Sequence, residues 1–202
     1  VRGLWRRLRV TGVPTPELEI CAGKDAVATK HDALTESEVA SFRLHKAVLE
    51  CLNQIRTTFP DVEPAKLNVL DWGCGRGRSV AKLRDMGFNA FGVDIDENVV
   101  SKGFPLFEDR GFVPNRLLKP VSETRDFEDG FFHLILSEQV FEHVSDLTSV
   151  IIEHSRLTRR GGLGIHRFPG SRNVWEGHLR MPLVHWLPQS SLQRYWIALM
   201  LV

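Results

Sequence analysis

From residue 67 onward the chain alternates short apolar runs with helical segments, and several of the joints carry glycine. Residues 67–72 (Leu-Asn-Val-Leu-Asp-Trp) read as a buried strand that runs straight into Gly73. A helix over 79–86 is ended by Gly87, and residues 89–94 form a second strand. Residues 97–102 are helical, 116–118 are a weak third strand and 131–136 a strong fourth. Ser145 is expected to cap a helix through Leu157, Gly161-Gly162 to end the turn after it, and residues 163–168 to form a fifth strand. Strands separated by helices pair in parallel, with helices over both faces. The expected fold is therefore α/β, a doubly wound, mostly parallel sheet.

Three segments are expected. Residues 1–34 are a lead-in, 35–170 the folded domain, and 171–202 a lid and terminal helix of the same domain. In the lead-in, Arg2, Arg6, Arg7 and Arg9 cluster beside Trp5, a solvated first turn or an anion contact, before Pro14 and Pro16 break any regular element. Thr35 and Glu38 form a capping box, in which hydroxyl and carboxylate each satisfy an orphan backbone N–H. Val39, Phe42, Val48, Leu49, Leu52 and Ile55 then predict one helix ending before Pro60.

The charge balance narrows the partners. There are 26 Lys and Arg against 25 Asp and Glu, a net charge of +1. That disfavours both a basic nucleic-acid surface and an acidic solvating tail. With 43% hydrophobic and 25% charged residues there is enough apolar surface for a core. The longest apolar run, residues 196–202, falls far short of the roughly 20 residues of a membrane helix. Cys21, Cys51 and Cys74 are odd in number and form no C-x-x-C pair, so a reducing cytoplasm is the expected compartment. The chain begins with Val1, which is read as a fragment or a processed chain.

The chemistry sits in the turn Asp71-Trp72-Gly73-Cys74-Gly75-Arg76-Gly77. The dinucleotide fingerprint G-x-G-x-x-G fails here, because its third glycine position is Arg78. An acid followed by glycines at alternate positions suits a ligand without phosphate. S-adenosylmethionine presents an amino-acid end, a ribose and a sulfonium cation. Glycines admit the backbone close to such a ligand, and a helix N-terminus faces its carboxylate. Asp71 adds negative charge toward the ammonium and sulfonium, where a phosphate would be repelled. Asp94, ending the second strand about 20 residues on, is placed to accept from ribose hydroxyls. Ser137-Glu138-Gln139 follows the fourth strand, at the end of the sheet where ligands of open parallel sheets lie.

These residues, with Leu136–Val144 and Arg160–Leu163, resemble class I S-adenosylmethionine-dependent methyltransferases, of the small-molecule branch that includes the ubiquinone and menaquinone enzymes. The resemblance spans residues 65–170. It implies a Rossmann-like sheet of order 3-2-1-4-5, with the family's last two strands missing because only 34 residues follow the fifth strand and no hairpin is legible in them. It also implies that Asp71, Gly73, Cys74 and Gly75 hold the methionine part, Asp94 the ribose, and Ile95 one adenine face. Cys74 joins that set by its place in the turn, with its thiol read as a small packing group. Ser122 and Glu123 stand near the adenine amino group, where the family carries an acid and this chain has Val121. Ser137, Glu138 and Gln139 complete the cofactor set. His133 replaces the family's usual early Asp of the fourth strand. Gln139 replaces a Glu that binds metal in ubiquinone-type enzymes, so no metal is expected.

The implied activity is methyl transfer to a small-molecule acceptor by in-line displacement, with His143, His178 and His185 as candidate bases. Glu142 and His143 are equally read as a pair that fixes their loop. Residues 175–188 hold two Trp and two His without helical or strand period, the composition of an acceptor-site lid. The open edge beside the fifth strand and the apolar tail are candidate self-association surfaces. The alternatives are a non-catalytic methyltransferase-like scaffold within a longer protein and, disfavoured by Arg78, an NAD-dependent oxidoreductase.

Overall fold

The computed structural model describes residues 33–168, together with the backbone of 175–176 and 181–182. Five strands are β1 (Asn68–Trp72), β2 (Asn89–Asp94), β3 (Leu118–Pro120), β4 (Phe132–Glu138) and β5 (Thr158–Arg167), paired in parallel in the order β3-β2-β1-β4-β5. The order reverses direction at β1, so a crevice opens where the connections leave to opposite sides. Helices α1 (Glu36–Ser41), α2 (Lys46–Thr58), α3 (Arg78–Asp85), α4 (Glu97–Ser101), α5 (Phe104–Asp109) and α6 (Leu147–Leu157) surround the sheet.

Two cores separate by strand alternation. Val69, Leu134 and Leu136 pack with Val48, Leu52, Ile55, Val80 and Leu83 of α2 and α3 on one face. Leu70, Trp72, Val93 and Ile135 pack with Phe127, Phe132 and Leu157 on the other. β1 and β4 are buried nearly throughout, which is why they read as continuous apolar runs.

Several boundaries differ from the sequence reading. The expected single helix is two, α1 and α2, because Phe42 turns extended (ψ 134°) and His45 caps α2 by accepting from the Ala47 N–H. The apolar stripe skips from Phe42 to Val48, a six-residue gap that helical spacing does not bridge. Leu49, counted with the core, is 38% exposed. Asp146 rather than Ser145 caps α6, accepting from the Ser149 N–H at 3.0 Å. Gly161 and Gly162 do not end a turn before the fifth strand but lie inside it. β5 begins at Thr158, and its pairing jumps from Phe132↔Thr158 to Leu134↔Leu163 across a bulge. His133 lies beside that bulge, where it accepts from the Asn68 N–H at 2.9 Å and lies 2.8 Å from Arg159.

β6 (Trp175–Glu176) and β7 (Met181–Pro182) pair antiparallel as a second, two-stranded sheet. This corrects the expectation of no hairpin after β5, because strands of two residues are too short to show alternation. His178, His185 and the apolar run 196–202 lie outside the described residues. Among the described residues, no helix is long and apolar enough to cross a membrane.

Candidate functional site

β1 delivers Asp71 to the carboxyl end of the sheet, and the chain then turns through Gly73 and Gly75, both with positive φ (85° and 53°). The Gly73 and Cys74 amides donate to the Val93 carbonyl, at 2.7 and 3.0 Å, so the turn is tied to β2 as it leaves β1. The Gly75 amide donates to Asp94 Oδ2 at 2.8 Å. Asp94 Oδ1 accepts from the Asp96 N–H at 3.1 Å, which fixes the orientation of the carboxylate. The acid at the end of β2 and the glycine turn after β1 are thus one hydrogen-bonded unit.

Beside this unit lies a cleft of about 280 Å³, lined by Phe42, Asp71, Gly73, Cys74, Gly75, Arg76, Arg78, Ser79 and Glu138. A Cβ on Gly73 would lie 2.3 Å from Val140 Cγ2, whereas one on Gly75 would meet nothing closer than 3.8 Å. Gly73 is therefore required by packing. At Gly75 a Cβ would make only an ordinary contact with Val99.

The cleft is acidic on its inner side. Asp71 is buried, and desolvation pushes its carboxyl up to about 7. A Ser79 hydrogen bond works against this shift, and the Glu138 and Asp94 charges add to it. Glu138 is ion-paired with Arg167 of β5, a partner set by the β4–β5 register. The Gln139 amide donates to the Arg167 carbonyl at 2.7 Å, and Gln139 takes a left-handed φ of 55°. Cys74 is buried against Gly92, and burial raises its thiol well above the usual range.

The outer wall includes Phe42, the C-cap of α1, a placement that local sequence pattern does not predict. Arg76 Nη2 lies 2.7 Å from Glu38 Oε1, and the Arg78 guanidinium sits 4.3 Å from the Phe42 ring centroid. Glu36 is held by Arg110 at 2.6 Å. The capping-box glutamate, Glu38, grips the glycine turn, and Glu36 beside it grips the end of α5.

Of the remaining expected residues, Ile95 is 46% exposed directly after Asp94. Ser122 and Glu123 are exposed on a 3₁₀ turn over Val121–Asp126, where Glu123 pairs with Lys119 at 3.1 Å. Ser137 is buried, its Oγ 2.9 Å from His166 Nδ1. Glu142 and His143 are exposed on the 3₁₀ turn Phe141–His143. The structure brings together Asp71, Gly73, Cys74, Gly75, Glu138 and Asp94. Asp94 joins the cleft lining through its bond to Gly75, and Ile95, Ser122, Glu123, Ser137, Gln139 and His143 lie outside that lining.

A family model described as a methyltransferase domain matches residues 70–165, from β1 to β5. Residues 70–165 thus resemble the methyltransferase domain of class I S-adenosylmethionine-dependent methyltransferases. Similar curated proteins include a ubiquinone biosynthesis O-methyltransferase of Rickettsia prowazekii (strain Madrid E), 25% identical over 60% of this chain and 46% of its own length. Another is a methyltransferase of Mycobacterium sp. (strain JLS), 31% identical over 63% of this chain and 48% of its own. The chain thus spans about half the length of the curated relatives it matches. Among solved structures, an S-adenosylmethionine-dependent methyltransferase from Mesorhizobium loti is 15% identical, with a TM-score of 0.46 over 62% of this chain and 58% of that one. This match favours S-adenosylmethionine over the NAD-dependent alternative.

Proposed function

We propose that this chain binds S-adenosylmethionine at the crest of its sheet and transfers the methyl group to a small-molecule acceptor. The observation that carries the reading is the Asp94–Gly75 hydrogen bond beside a cleft lined by Asp71 and Glu138 as well as Arg76 and Arg78. The residues present fit the cofactor. Gly75 admits close approach, Glu138 sets negative charge in the lining beside the half-ionised Asp71, and Asp94 holds a fixed carboxylate against Gly75.

In this reading Asp71, Gly73, Cys74 and Gly75 surround the methionine part, with Ser137, Glu138 and Gln139 closing the β4 side. Asp94 accepts from the ribose hydroxyls, exposed Ile95 covers one adenine face, and Ser122 and Glu123 lie toward its amino edge. Bound S-adenosylmethionine supplies an activated methyl with its own leaving group. The protein's part is orientation and exclusion of water. The Asp94 and Glu138 carboxylates attract a sulfonium cation and lose that attraction once the sulfur becomes neutral. His143, His178 and His185 are the candidate bases for an acceptor that must lose a proton.

Calorimetric titration with S-adenosylhomocysteine tests the proposal. Wild type is expected to bind, and Asp94→Ala to bind at least about tenfold more weakly, since a hydrogen bond to a charged group contributes roughly 1.5–3 kcal/mol. Equal affinity in the variant, or tight NADH binding with no response to S-adenosylhomocysteine, would overturn it. Binding without turnover across an acceptor panel would favour the scaffold reading.

A further inference from the structure

Three carboxylates share one face of the sheet at its crest. Asp71 lies in register with Gly92 of β2 and Leu136 of β4. Asp94 and Glu138 stand two residues further along those strands, and a period of two returns each to the face of Asp71. The three differ in what answers their charge. Asp94 accepts from the Gly75 and Asp96 amides. Glu138 pairs with Arg167. Asp71 is 4% exposed, takes a hydrogen bond from Ser79, and enters no ion pair with the described residues. The cations of the lining are engaged elsewhere, Arg76 on Glu38 at 2.7 Å and Arg78 on the Phe42 ring. Burial keeps the Cys74 thiol neutral.

A carboxyl buried without a cation, beside two like charges, keeps its proton. Desolvation outweighs the Ser79 hydrogen bond, Glu138 and Asp94 add to it, and Asp71 titrates at about 7. Below that pH the folded chain holds a proton on Asp71. A ligand cation set against the carboxyl reverses the balance, because an opposite charge favours the ionised form. The histidines of the crest take no part in this. His154 and His166 lie on the opposite face, in a column of stacked rings that rises from Trp72 at its base through both of them to Phe141.

We infer that the ligand's ammonium group seats against Asp71 by displacing a proton. The carboxyl O–H bond breaks, the proton leaves to solvent, and the carboxylate left behind pairs with the ammonium. Binding is thus an exchange of a proton for a cation, favoured as pH rises through neutrality. The inference rests on the reading that the cleft takes S-adenosylmethionine with its methionine part at Asp71.

Calorimetric titration of the full chain with S-adenosylhomocysteine, in two buffers of different ionisation enthalpy, counts the protons released. About 0.9 proton per ligand is expected at pH 6 and about 0.1 at pH 8. Affinity should rise about eightfold from pH 5.5 to 6.5 and level off above pH 8. 5′-Methylthioadenosine, which has no ammonium, should bind without releasing a proton. Asp71→Asn should release none with either ligand, and its affinity gap to wild type should narrow as pH falls. Glu138→Gln takes away one like charge and should move the midpoint of the affinity rise to lower pH.

Normal S-adenosylhomocysteine affinity with no proton released at pH 6 would overturn the inference and leave the methyl-transfer reading standing. Undiminished release by Asp71→Asn would assign the proton to another group and overturn it as well. Equal release on binding 5′-methylthioadenosine would show that the ammonium is not what displaces the proton, with the same result. Failure of wild type to bind S-adenosylhomocysteine would overturn the methyl-transfer reading and the inference with it.

Discussion

The Gly75 amide nitrogen and the Asp94 Oδ2 oxygen lie 2.8 Å apart, so the acid that ends β2 braces the turn that follows β1. One side chain therefore shapes the turn that lines the cleft and, in the proposed reading, faces the ligand. Asp94→Asn retains one acceptor oxygen for the Gly75 N–H, whereas Asp94→Ala retains none. The asparagine variant is expected to fall between wild type and alanine in S-adenosylhomocysteine affinity, with a thermal midpoint close to wild type. If both variants lose affinity equally while only alanine loses stability, the charge and not the brace is what the ligand reads.

Gly73 and Gly75 separate folding from binding. Gly73→Ala puts a methyl 2.3 Å from Val140 Cγ2 at a φ of 85°, and should cost about 1–3 kcal/mol in urea unfolding. Gly75→Ala sits at a φ of 53°, inside the left-handed region, with its nearest neighbour 3.8 Å away. It should cost only about 1 kcal/mol. In the proposed reading the ligand approaches this backbone, so S-adenosylhomocysteine affinity should nevertheless drop by an order of magnitude or more. Unchanged affinity in Gly75→Ala would show that the ligand does not approach this backbone.

Local pattern reached the sheet but not its long-range pairings. β1 and β4 were legible because strands buried on both faces are continuous apolar runs, each with a glycine near one end, and β2 because Gly87 separates it from the helix before it. Asp71, Gly73, Gly75 and Asp94 were legible because their spacing is set by one strand–turn–helix unit. The α1–α2 break was not, because neither glycine nor proline marks residues 42–45. Three pairs, Glu38–Arg76, Glu138–Arg167 and Phe42–Arg78, join residues 29 to 38 positions apart. The ring column likewise depends on the β4–β5 register, which the bulge at Phe132/Leu134 resets. No periodicity within a single segment encodes such partners.

Asp71 makes stability depend on pH in an unusual direction for a carboxylate. Burial raises its carboxyl from 3.8 to about 7, so between these values the folded state holds a proton that the unfolded chain has lost. Stability contributed by this group is full below pH 4, falls as pH rises toward 7, and is gone above it. Asp71→Asn removes the penalty while keeping an acceptor for Ser79. Its unfolding midpoint in urea should exceed that of wild type at pH 8 and match it near pH 4. The same variant should bind S-adenosylhomocysteine less tightly, a trade of stability for function expected at a ligand site. A midpoint below wild type at pH 8 would mean that Asp71 is held ionised at little cost.

His154 works on the acid side. It is buried on Trp72 and His166, neither ring nitrogen has a hydrogen-bond partner, and burial with the nearby His166 lowers it from 6.5 to about 4. Between these values the unfolded chain binds a proton that the folded state refuses. The contribution is therefore fully present above pH 6.5 and is lost as pH falls toward 4, at up to about 1.4 kcal/mol per unit. His154→Phe keeps the ring contact with Trp72 and removes both unpartnered nitrogens. It should be at least as stable as wild type at pH 7, since an unsatisfied buried polar group costs roughly 1–3 kcal/mol. It should also lose less stability between pH 6.5 and 4.5, with His166 and His133 leaving a residual slope because both are lowered in the same direction. Urea midpoints at four pH values across that range give the comparison. Parallel curves for the two proteins would show that His154 titrates alike in the folded and unfolded chain, and that solvent reaches the base of the column.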